Sequence, residues 1–549
     1  MAKNFASMAE KRRSESQTSK ARSDQVENNA GGFVFKIDPM ARVRRFLILG
    51  STSNTYYATG ESLVKESVDA INAALASDGI SVVNEIVNIS QEGRAARNDP
   101  AIFALACAAS YQVKTNDVEA KNIRKYALEN LGNVCRIGTH LFTFLIYIRK
   151  MRGFGRSLRN AIANWYEQMP VEKLAMQVCK YQSRRVEGGT PWTHLDALRL
   201  GHPIAHDDLH NSIYRYVVGK ETLNFPADEK TPIDYIYWHE YAKNATNVKD
   251  VVKAIENGVT RESIPTEYLS YIEVWEAMLY NGMPLNAMIR NLGKMTSAGV
   301  LKPLSNTADL VVEALNDEDK LRKARIHPLN VLAASMTYNN GHGFRGSLTW
   351  EPVQSVIAAL DDAFYKSFKY IEPTNKKFLL GVDVSGSMSS YNVAGLDCMN
   401  CAQGAAALAM TYARTEKKSQ IMGFSSQFID LGITVKDSLQ DVCRKTSIPF
   451  GGTDCSLPMR YAIHNKLNVD AFIVITDNET WYDTGAGHPF QALERYRRQM
   501  GKPHAKMIVI AMTNTDFSIA NPDDPFSLDI VGFDANTPNI LSNFVREKF

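Results

Sequence analysis

The residues best suited to chemistry in this 549-residue chain are two carboxylates and three hydroxyls. Asp383, Ser385 and Ser387 form a D-x-S-x-S motif, in which a tight loop can turn all three side chains inward. Thr453 lies in a GGTD string, on a loop whose two glycines give the backbone conformational freedom. Asp477 follows an apolar run. Oxygen donors suit a hard divalent cation such as Mg²⁺, which keeps some positions for water or a partner's oxygen. The sequence therefore predicts a magnesium site with these five ligands, although D-x-S-x-S strings also recur by chance in serine-rich loops.

Strands that alternate with helices must position these donors. Nearly continuous apolar runs at 378–384, 419–424, 471–476 and 506–513 predict buried parallel strands, and helical patterns separate them. This alternation is typical of a doubly wound, Rossmann-like α/β sheet, whose ligands sit outside the carboxyl ends of the strands. The carboxylate-bearing motifs follow two of these strands, at the edge where a ligand should bind.

The residues before this α/β region have a different pattern. Short amphipathic helices, punctuated by Asn, Gly and Pro, fill residues 33–370 with hardly a strand. They predict an α-solenoid of HEAT type, although no clean sequence period supports the repeat. Residues 1–32 are polar and mildly basic and predict a flexible tail. The predicted domains are therefore 1–32, 33–370 and 371–549.

Composition and charge narrow the classes of protein. The hydrophobic content of 45% and the charged content of 22% are ordinary for a globular protein. We expect neither a membrane span nor export, since no apolar run reaches about 18 residues and the polar start lacks a signal core. Seven scattered cysteines do not suggest a disulfide framework, which fits a reducing, cytoplasmic location. Residues 371–549 carry 17 basic against 19 acidic residues in a chain of net charge +3, so a polyanion would bind before residue 371.

Local strings throughout the chain resemble those of a known family. DVSGSM, GGTD and ITDNE look like the metal-ion-dependent adhesion site of von Willebrand factor A domains. The helical part is similar to the TROVE module of the Ro ribonucleoprotein family in THLFTF (139–144), RNLGKMT (290–296), KARIHP (323–328), GHGFRG (341–346) and AFYKSFK (363–369). The resemblance spans about 33–549 and implies a ring of HEAT-like helical repeats closed by the A domain. It also implies the same five metal ligands, in a domain that binds proteins and does no chemistry.

A basic stretch in the helical part is the candidate RNA surface. Lys180 and Arg184 are four residues apart, which predicts a shared helical face that could neutralise phosphates. A second predicted helix runs from Trp192 towards His202. The stretch from Cys179 to His202 is similar to the Y-RNA-contacting stretch of the family, and this similarity implies Lys180, Arg184 and His202 as RNA contacts. An ordinary solvated helix face is the alternative.

A second basic cluster, Arg42, Arg44 and Arg45, has two interpretations. It lines the inner wall of the predicted ring, or it forms an ordinary surface stripe. The charges alone do not separate these alternatives.

These features together predict an RNA-binding protein that is not an enzyme, since no P-loop, HExxH motif or Ser/His/Asp arrangement stands out. The resemblance implies that small noncoding Y-like RNA binds outside the ring. It also implies that single-stranded 3′ ends of misfolded RNAs enter the hole, for RNA quality control or ribonucleoprotein assembly. A protein partner, such as an exoribonuclease, would be recruited through the A domain or the RNA. We expect a monomer that binds neither DNA nor membranes. The alternative is a protein-interaction scaffold that uses the metal and binds no RNA.

Overall fold

The structure is a computed structural model that describes most of the chain. The described residues are 16–50, 60–113, 118–184, 192–220, 231–343, 347–368, 373–393, 398–446, 451–482 and 487–546, without the side chains of 60–66 and 183–184. The predicted domain boundary at 370/371 therefore lies outside the described residues. No helix of the described residues is both long enough and apolar enough to cross a bilayer.

Helices dominate the described residues before 369, as the sequence predicts. Their bounds are α1 (Pro39–Leu49), α2 (Gly60–Glu92), α3 (Asp99–Ser110), α4 (Val118–Glu129), α5 (Leu131–Val134), α6 (Gly138–Met151), α7 (Arg156–Glu167), α8 (Val171–Lys180), α9 (His194–Gly201), α10 (Asp208–Val217), α11 (Asp234–Lys243), α12 (Val248–Glu256), α13 (Ile272–Tyr280), α14 (Leu285–Ser297), α15 (Asn306–Asn316), α16 (Glu318–Lys323), α17 (Pro328–Asn339) and α18 (Gln354–Lys366). Short strands accompany them at β1 (Gln25–Glu27), β2 (Phe33–Lys36), β3 (Ser183–Arg184) and β4 (Trp192–Thr193).

The end of the helical array returns to its beginning. Packing contacts form a connected path from α2 to α18. The imidazole Nε2 of His327 then lies 3.0 Å from the carbonyl oxygen of Arg94, just after α2. The side-chain amide of Asn330 donates to the carbonyl oxygen of Ala96 at 3.5 Å. These contacts close the array into a ring.

The α/β region follows with a mixed six-stranded sheet. Its strands are β5 (Phe378–Asp383), β6 (Ser419–Phe424), β7 (Phe428–Ile429), β8 (Ala471–Thr476), β9 (Lys506–Ala511) and β11 (Ser527–Val531), while β10 (Phe517–Ser518) lies apart. Its helices are α19 (Gly386–Ser390), α20 (Cys401–Thr415), α21 (Leu439–Lys445), α22 (Leu457–His464), α23 (Pro489–Gln499) and α24 (Thr537–Val545). The strand order is β11-β9-β8-β5-β6-β7, and only β7 runs antiparallel to its neighbour.

Both faces of this sheet are covered, which explains the continuous apolar runs. In β5, Leu380 and Val382 pack into a core that continues into the later helices of the ring. Leu379 points to the opposite face and packs into a second core. A strand that is buried on both faces needs apolar residues at every position. The earlier helices of the ring, from α1 to α11, share a third core.

Arginines join the first helix to the α/β domain. The buried Arg45 guanidinium donates to Asp529 Oδ1 at 2.6 Å, and the buried Arg42 guanidinium donates to Asn514. Arg44 instead keeps 47% of its side chain exposed. Both interpretations of this cluster are therefore wrong for Arg42 and Arg45, because these cations hold the two domains together.

Residues 16–32 are not the flexible tail that the sequence predicts. Strand β2 pairs with β1 and with β10, so the segment extends a small sheet on the α/β domain. Gln17 is fully buried, and its amide donates to Asp454 Oδ1 at 2.8 Å. Polar composition misleads here because the segment's polar groups bond to protein loops. Residues 1–15 lie outside the described residues.

Candidate metal centre and nucleic-acid interface

The candidate metal ligands lie on three loops at the carboxyl edge of the sheet. Strands β5 and β8 are parallel neighbours, so the loops that carry Asp383 and Asp477 leave the sheet side by side. The amide N–H of Asp454 donates to the carbonyl oxygen of Ser425 at 2.9 Å, which ties the Thr453 loop to the end of β6. Adjacent strands thus bring together segments that are nearly a hundred residues apart in sequence.

Hydrogen bonds connect three of the five predicted ligands. The amide N–H of Ser385 donates to Asp383 Oδ1 at 3.0 Å, and the hydroxyl oxygens of Ser385 and Ser387 are 3.1 Å apart. The Ser387 hydroxyl is near enough to the Asp477 carboxylate to lower its pKa. Thr453 is buried beside them, and its carbonyl oxygen accepts from the amide of Trp481 at 3.1 Å, on the loop after Asp477.

Two buried carboxylates dominate the electrostatics of this cluster. Burial and the neighbouring Asp477 carboxylate raise the pKa of Asp383 to about 7. Burial also raises the pKa of Asp477, which the Ser387 hydroxyl partly offsets. The groups that shift these two pKa values most, within the described residues, include no cationic side chain. A charged carboxylate is costly in a low-dielectric site unless a cation compensates it.

The donor set fits a divalent cation by its chemistry. Two carboxylates and three hydroxyls are hard oxygen donors, and a bound cation would compensate the charge of the carboxylates. Among the described residues, no group of three or more His, Cys, Asp or Glu side chains is arranged to hold a metal ion. A site here would therefore depend on its hydroxyls as well as on Asp383 and Asp477.

Sequence reasoning missed two residues of this cluster. The Thr476 hydroxyl donates to Asp383 Oδ2 at 2.6 Å and orients that carboxylate. Glu479 is almost fully buried, and burial with the nearby Asp477 charge raises its pKa to about 8. The Asn29 side chain donates to Glu479 Oε1 at 2.8 Å, so the N-terminal segment contacts the same loop. The ITDNE string contained both residues, but their burial is visible only in the fold.

The candidate RNA contact Lys180 is the last residue of α8 and is already engaged. Its Nζ lies 3.5 Å from Glu262 Oε2 and 5.4 Å from the centre of the Tyr181 ring. Only 13% of its side chain is exposed. A phosphate must therefore compete with Glu262 for this ammonium group.

Arg184 and His202 do not extend the face of α8. The helix ends at Lys180, and Arg184 lies in β3, where it pairs with Trp192 of β4. The prediction that Lys180 and Arg184 share one helical face is therefore wrong, and the Arg184 side chain is not described. The loop at 185–191, including the stretch from Val186 to Pro191, lies outside the described residues. His202 is exposed and caps α9 in a left-handed conformation with φ 52°.

Helix α9 sets the spacing between these contact positions. The capping box at Thr193 begins the helix, and the buried His194 Nε2 lies 3.3 Å from the carbonyl oxygen of Gln177 in α8. The start of α9 is thus anchored beside the end of α8. At 1.5 Å per residue, its eight residues place His202 roughly 12 Å further along.

The described residues form a closed helical array that is joined to an A-type α/β domain. Hydroxyl and carboxylate side chains lie on the loops at the strand ends of that domain. This combination of domains defines a class of protein. Residues 26–250 and 252–340 match the family model of the TROVE domain, and residues 377–545 match that of the Ro60 vWA domain. The chain belongs to the Ro ribonucleoprotein family. The predicted fold class, a HEAT-like helical ring followed by a von Willebrand factor A domain, is confirmed.

Relatives match along nearly the whole chain. The "RNA-binding protein RO60" of Deinococcus radiodurans is 38% identical over 534 residues, which cover 96% of this chain and 97% of that protein. The "RNA-binding protein RO60" of Caenorhabditis elegans is 35% identical, with 97% and 92% covered. The crystal structure of the Deinococcus radiodurans RO (RSR) protein superposes with a TM-score of 0.68 at 35% identity, covering 93% of this chain and 100% of that one.

Proposed function

We propose that this chain is a non-enzymatic RNA-binding protein that holds small structured noncoding RNA on the outside of its ring. The RNA is of the Y-like type, and single-stranded 3′ ends of misfolded RNAs enter the hole. The observation that carries the proposal is the closed ring in a chain whose near full-length relatives are named RNA-binding proteins. Binding of both RNA types suits RNA quality control or ribonucleoprotein assembly.

Lys180, Arg184 and His202 are the proposed outer contacts. Lys180 lies at the end of α8, and His202 lies at the far end of α9, so together they span the length of a short helix. Each cation that contacts a phosphate releases bound counter-ions, which makes affinity fall steeply with salt. Structured RNA is recognised largely through its shape and its backbone. We therefore expect broad sequence tolerance together with strong salt dependence.

The A domain has a separate proposed role. Asp383, Ser385, Ser387, Thr453 and Asp477 would hold a divalent cation, which we propose to be Mg²⁺. Positions left open on the cation would accept a carboxylate or phosphate from a partner. An exoribonuclease or another protein is the proposed partner at this edge of the sheet.

The test is a salt series with structured RNA that carries a single-stranded 3′ tail. Wild type is compared with Lys180→Ala/Arg184→Ala, and thermal unfolding confirms that both are folded. We expect tight binding by wild type, a steep loss with salt, and weaker binding with a shallower salt slope for the double variant. Absence of tail-dependent binding by wild type at moderate salt would refute the proposal.

The buried oxygen-donor cluster favours a second candidate, a protein-interaction scaffold that binds no RNA. The two candidates differ in what Asp477→Ala removes. Under the RNA proposal, this substitution abolishes metal-dependent partner binding and leaves RNA affinity unchanged. The scaffold gains support if partner binding is lost and wild type shows no affinity for RNA in the same assay.

A further inference from the structure

Helix α11 carries partly exposed aromatic residues outside its fully buried face. Ile236, His239 and Ala242 are its buried residues and define the inward face. At 3.6 residues per turn, Tyr237 and Tyr241 lie on the opposite side of the helix. A surface helix normally places charged or polar residues there.

Three rings of α11 form one ordered group, in which Trp238 and Tyr241 also pack against the core of the later helices. The ring centres of Tyr237 and Tyr241 are 6.1 Å apart, and the rings are nearly parallel at 28°. Trp238 meets Tyr241 edge to face at 5.4 Å and Tyr237 at 5.1 Å. All three side chains are partly exposed. The Tyr241 hydroxyl donates to Asp250 Oδ1 at 3.0 Å, which fixes its ring against α12.

One lysine contacts the rings, and two more are exposed on the same two helices. The Lys253 Nζ lies 5.9 Å from the ring centres of both Trp238 and Tyr241, within the range of a cation–π contact. Lys249 is exposed one turn earlier on α12, and Lys243 is exposed at the end of α11. We call Tyr237, Trp238, Tyr241 and Lys253 the α11 aromatic surface.

The nearby carboxylates are already engaged. Glu240 accepts from the Tyr216 hydroxyl at 2.6 Å and from Lys243 Nζ at 3.3 Å. Asp250 accepts from Tyr241 and from the side-chain amide of Asn247 at 2.8 Å. These bonds hold the acidic groups in place, while Lys253 and Lys249 remain exposed beside the rings.

The helix that carries the α11 aromatic surface neighbours the proposed RNA contact Lys180. Helix α11 packs against α8, which ends at Lys180. The Gln182 amide nitrogen lies 3.1 Å from His239 Nε2, so the segment after Lys180 is attached to the inward side of α11. Tyr237 and Tyr241 therefore lie on the other side of α11 from the segment that follows Lys180.

We infer that the α11 aromatic surface is a stacking platform for unpaired bases of single-stranded RNA. Bases stack on aromatic faces with little sequence preference, and flanking lysines neutralise the backbone. This inference rests on the proposed function, and it gives the single-stranded part of an RNA a defined place on the helical array. Phosphates would lie along Lys253 and Lys249.

Ring-removing and ring-keeping variants test the inference in the full-length chain. The probes are an oligouridine of roughly twelve nucleotides and an abasic phosphodiester of the same length. We expect Tyr237→Leu/Tyr241→Leu to weaken oligouridine binding about tenfold or more, because leucine has no aromatic face on which a base can stack. The abasic probe should bind wild type and this variant equally. Tyr237→Phe/Tyr241→Phe should stay within about threefold of wild type, because the rings remain.

Tyr280→Leu is the matched control, because Tyr280 is 61% exposed on α13 and lies outside the α11 aromatic surface. It should leave the affinity for both probes unchanged. The inference is overturned if the leucine pair weakens both probes equally, or if it leaves oligouridine binding unchanged while tailed RNA still binds in a Lys180-dependent way. A leucine pair that changes only protein binding would make the surface a protein interface and also overturn the inference. Failure of wild type to bind tailed RNA at all would instead refute the proposed function.

Discussion

The α/β domain and the α8–α9 region handle charge in opposite ways. The strand-end cluster is the group of candidate metal ligands at Asp383 and Asp477, and the Arg45 junction is the contact of Arg45 with Asp529. In both places, charged groups are buried and held by several hydrogen bonds. Along α8 and α9, Lys180 has one competing partner and His202 is exposed. Buried charges respond strongly to the loss of a partner, whereas surface charges exchange partners at little cost. The first arrangement suits fixed assembly and a selective ion site, and the second suits a ligand bound largely through phosphates.

The junction should show the largest effect. Arg45→Met removes a buried cation from Asp529 and from the carbonyl oxygens of Thr515 and Phe517. We expect a loss of about 3–5 kcal/mol in the free energy of unfolding, because Asp529 keeps a charge without its partner. Denaturant unfolding measures this change. Arg44→Met, at an exposed ion pair, should cost under about 1 kcal/mol, and equal losses would remove the contrast.

The pH dependence of ring closure should be next in size. Burial lowers the pKa of His327 to about 4, and its Nδ1 accepts from the amide of Leu329, which requires the neutral ring. The unfolded chain takes up this proton near pH 6.5, so this stabilisation is complete above that pH. It is lost as pH falls towards 4, by about 3 kcal/mol.

Comparison with His327→Gln isolates this effect. In the metal-free α/β domain, stability changes with pH in the opposite direction. The raised pKa values of Asp383 and Glu479 remove stability as pH rises through about 7 to 8. Subtracting the unfolding free energy of the variant from that of wild type at each pH cancels these carboxylates. A difference that is constant from pH 7 to pH 4 would contradict the buried neutral imidazole.

Substitutions in the strand-end cluster should change the affinity for metal and leave the affinity for RNA unchanged. Asp477→Asn keeps the shape of the side chain but removes its charge, so we expect Mg²⁺ binding to weaken about 100-fold or more. Calorimetric titration of Mg²⁺ measures this loss. Affinity for tailed RNA should stay within about twofold of wild type. A parallel loss of RNA affinity in the folded variant would show that the two regions do not work separately.

The smallest expected effect concerns the ion pair between Lys180 and Glu262. Glu262→Gln removes the carboxylate that competes for Lys180. We expect RNA affinity to rise about two- to fivefold, since a single ion pair that is not fully buried contributes about 1 kcal/mol. Fluorescence anisotropy at two salt concentrations measures the change. The Lys180→Ala background is the control, because the gain should vanish there.

Regular elements and local motifs were predictable because their signals are short in sequence. The apolar run of β5 indicates a strand that is buried on both faces, and D-x-S-x-S places three donors on one loop. The prediction for Arg184 was wrong because spacing in sequence is spacing on a helix only while the helix lasts. Helix α8 ends at Lys180, and no local pattern announced the short β3–β4 pair.

The sequence by itself determined the family, the change from helices to an alternating sheet, and the identity of the candidate ligands. Tertiary structure decided which polar residues are buried. Arg42, Arg45 and Gln17 look like surface residues in sequence, yet distant segments enclose them and form hydrogen bonds with them. The sequence likewise did not predict ring closure through His327 or the grouping of the aromatic rings on α11. Burial depends on contacts between segments hundreds of residues apart. A local pattern carries no information about which distant segment will pack against a residue in the folded chain.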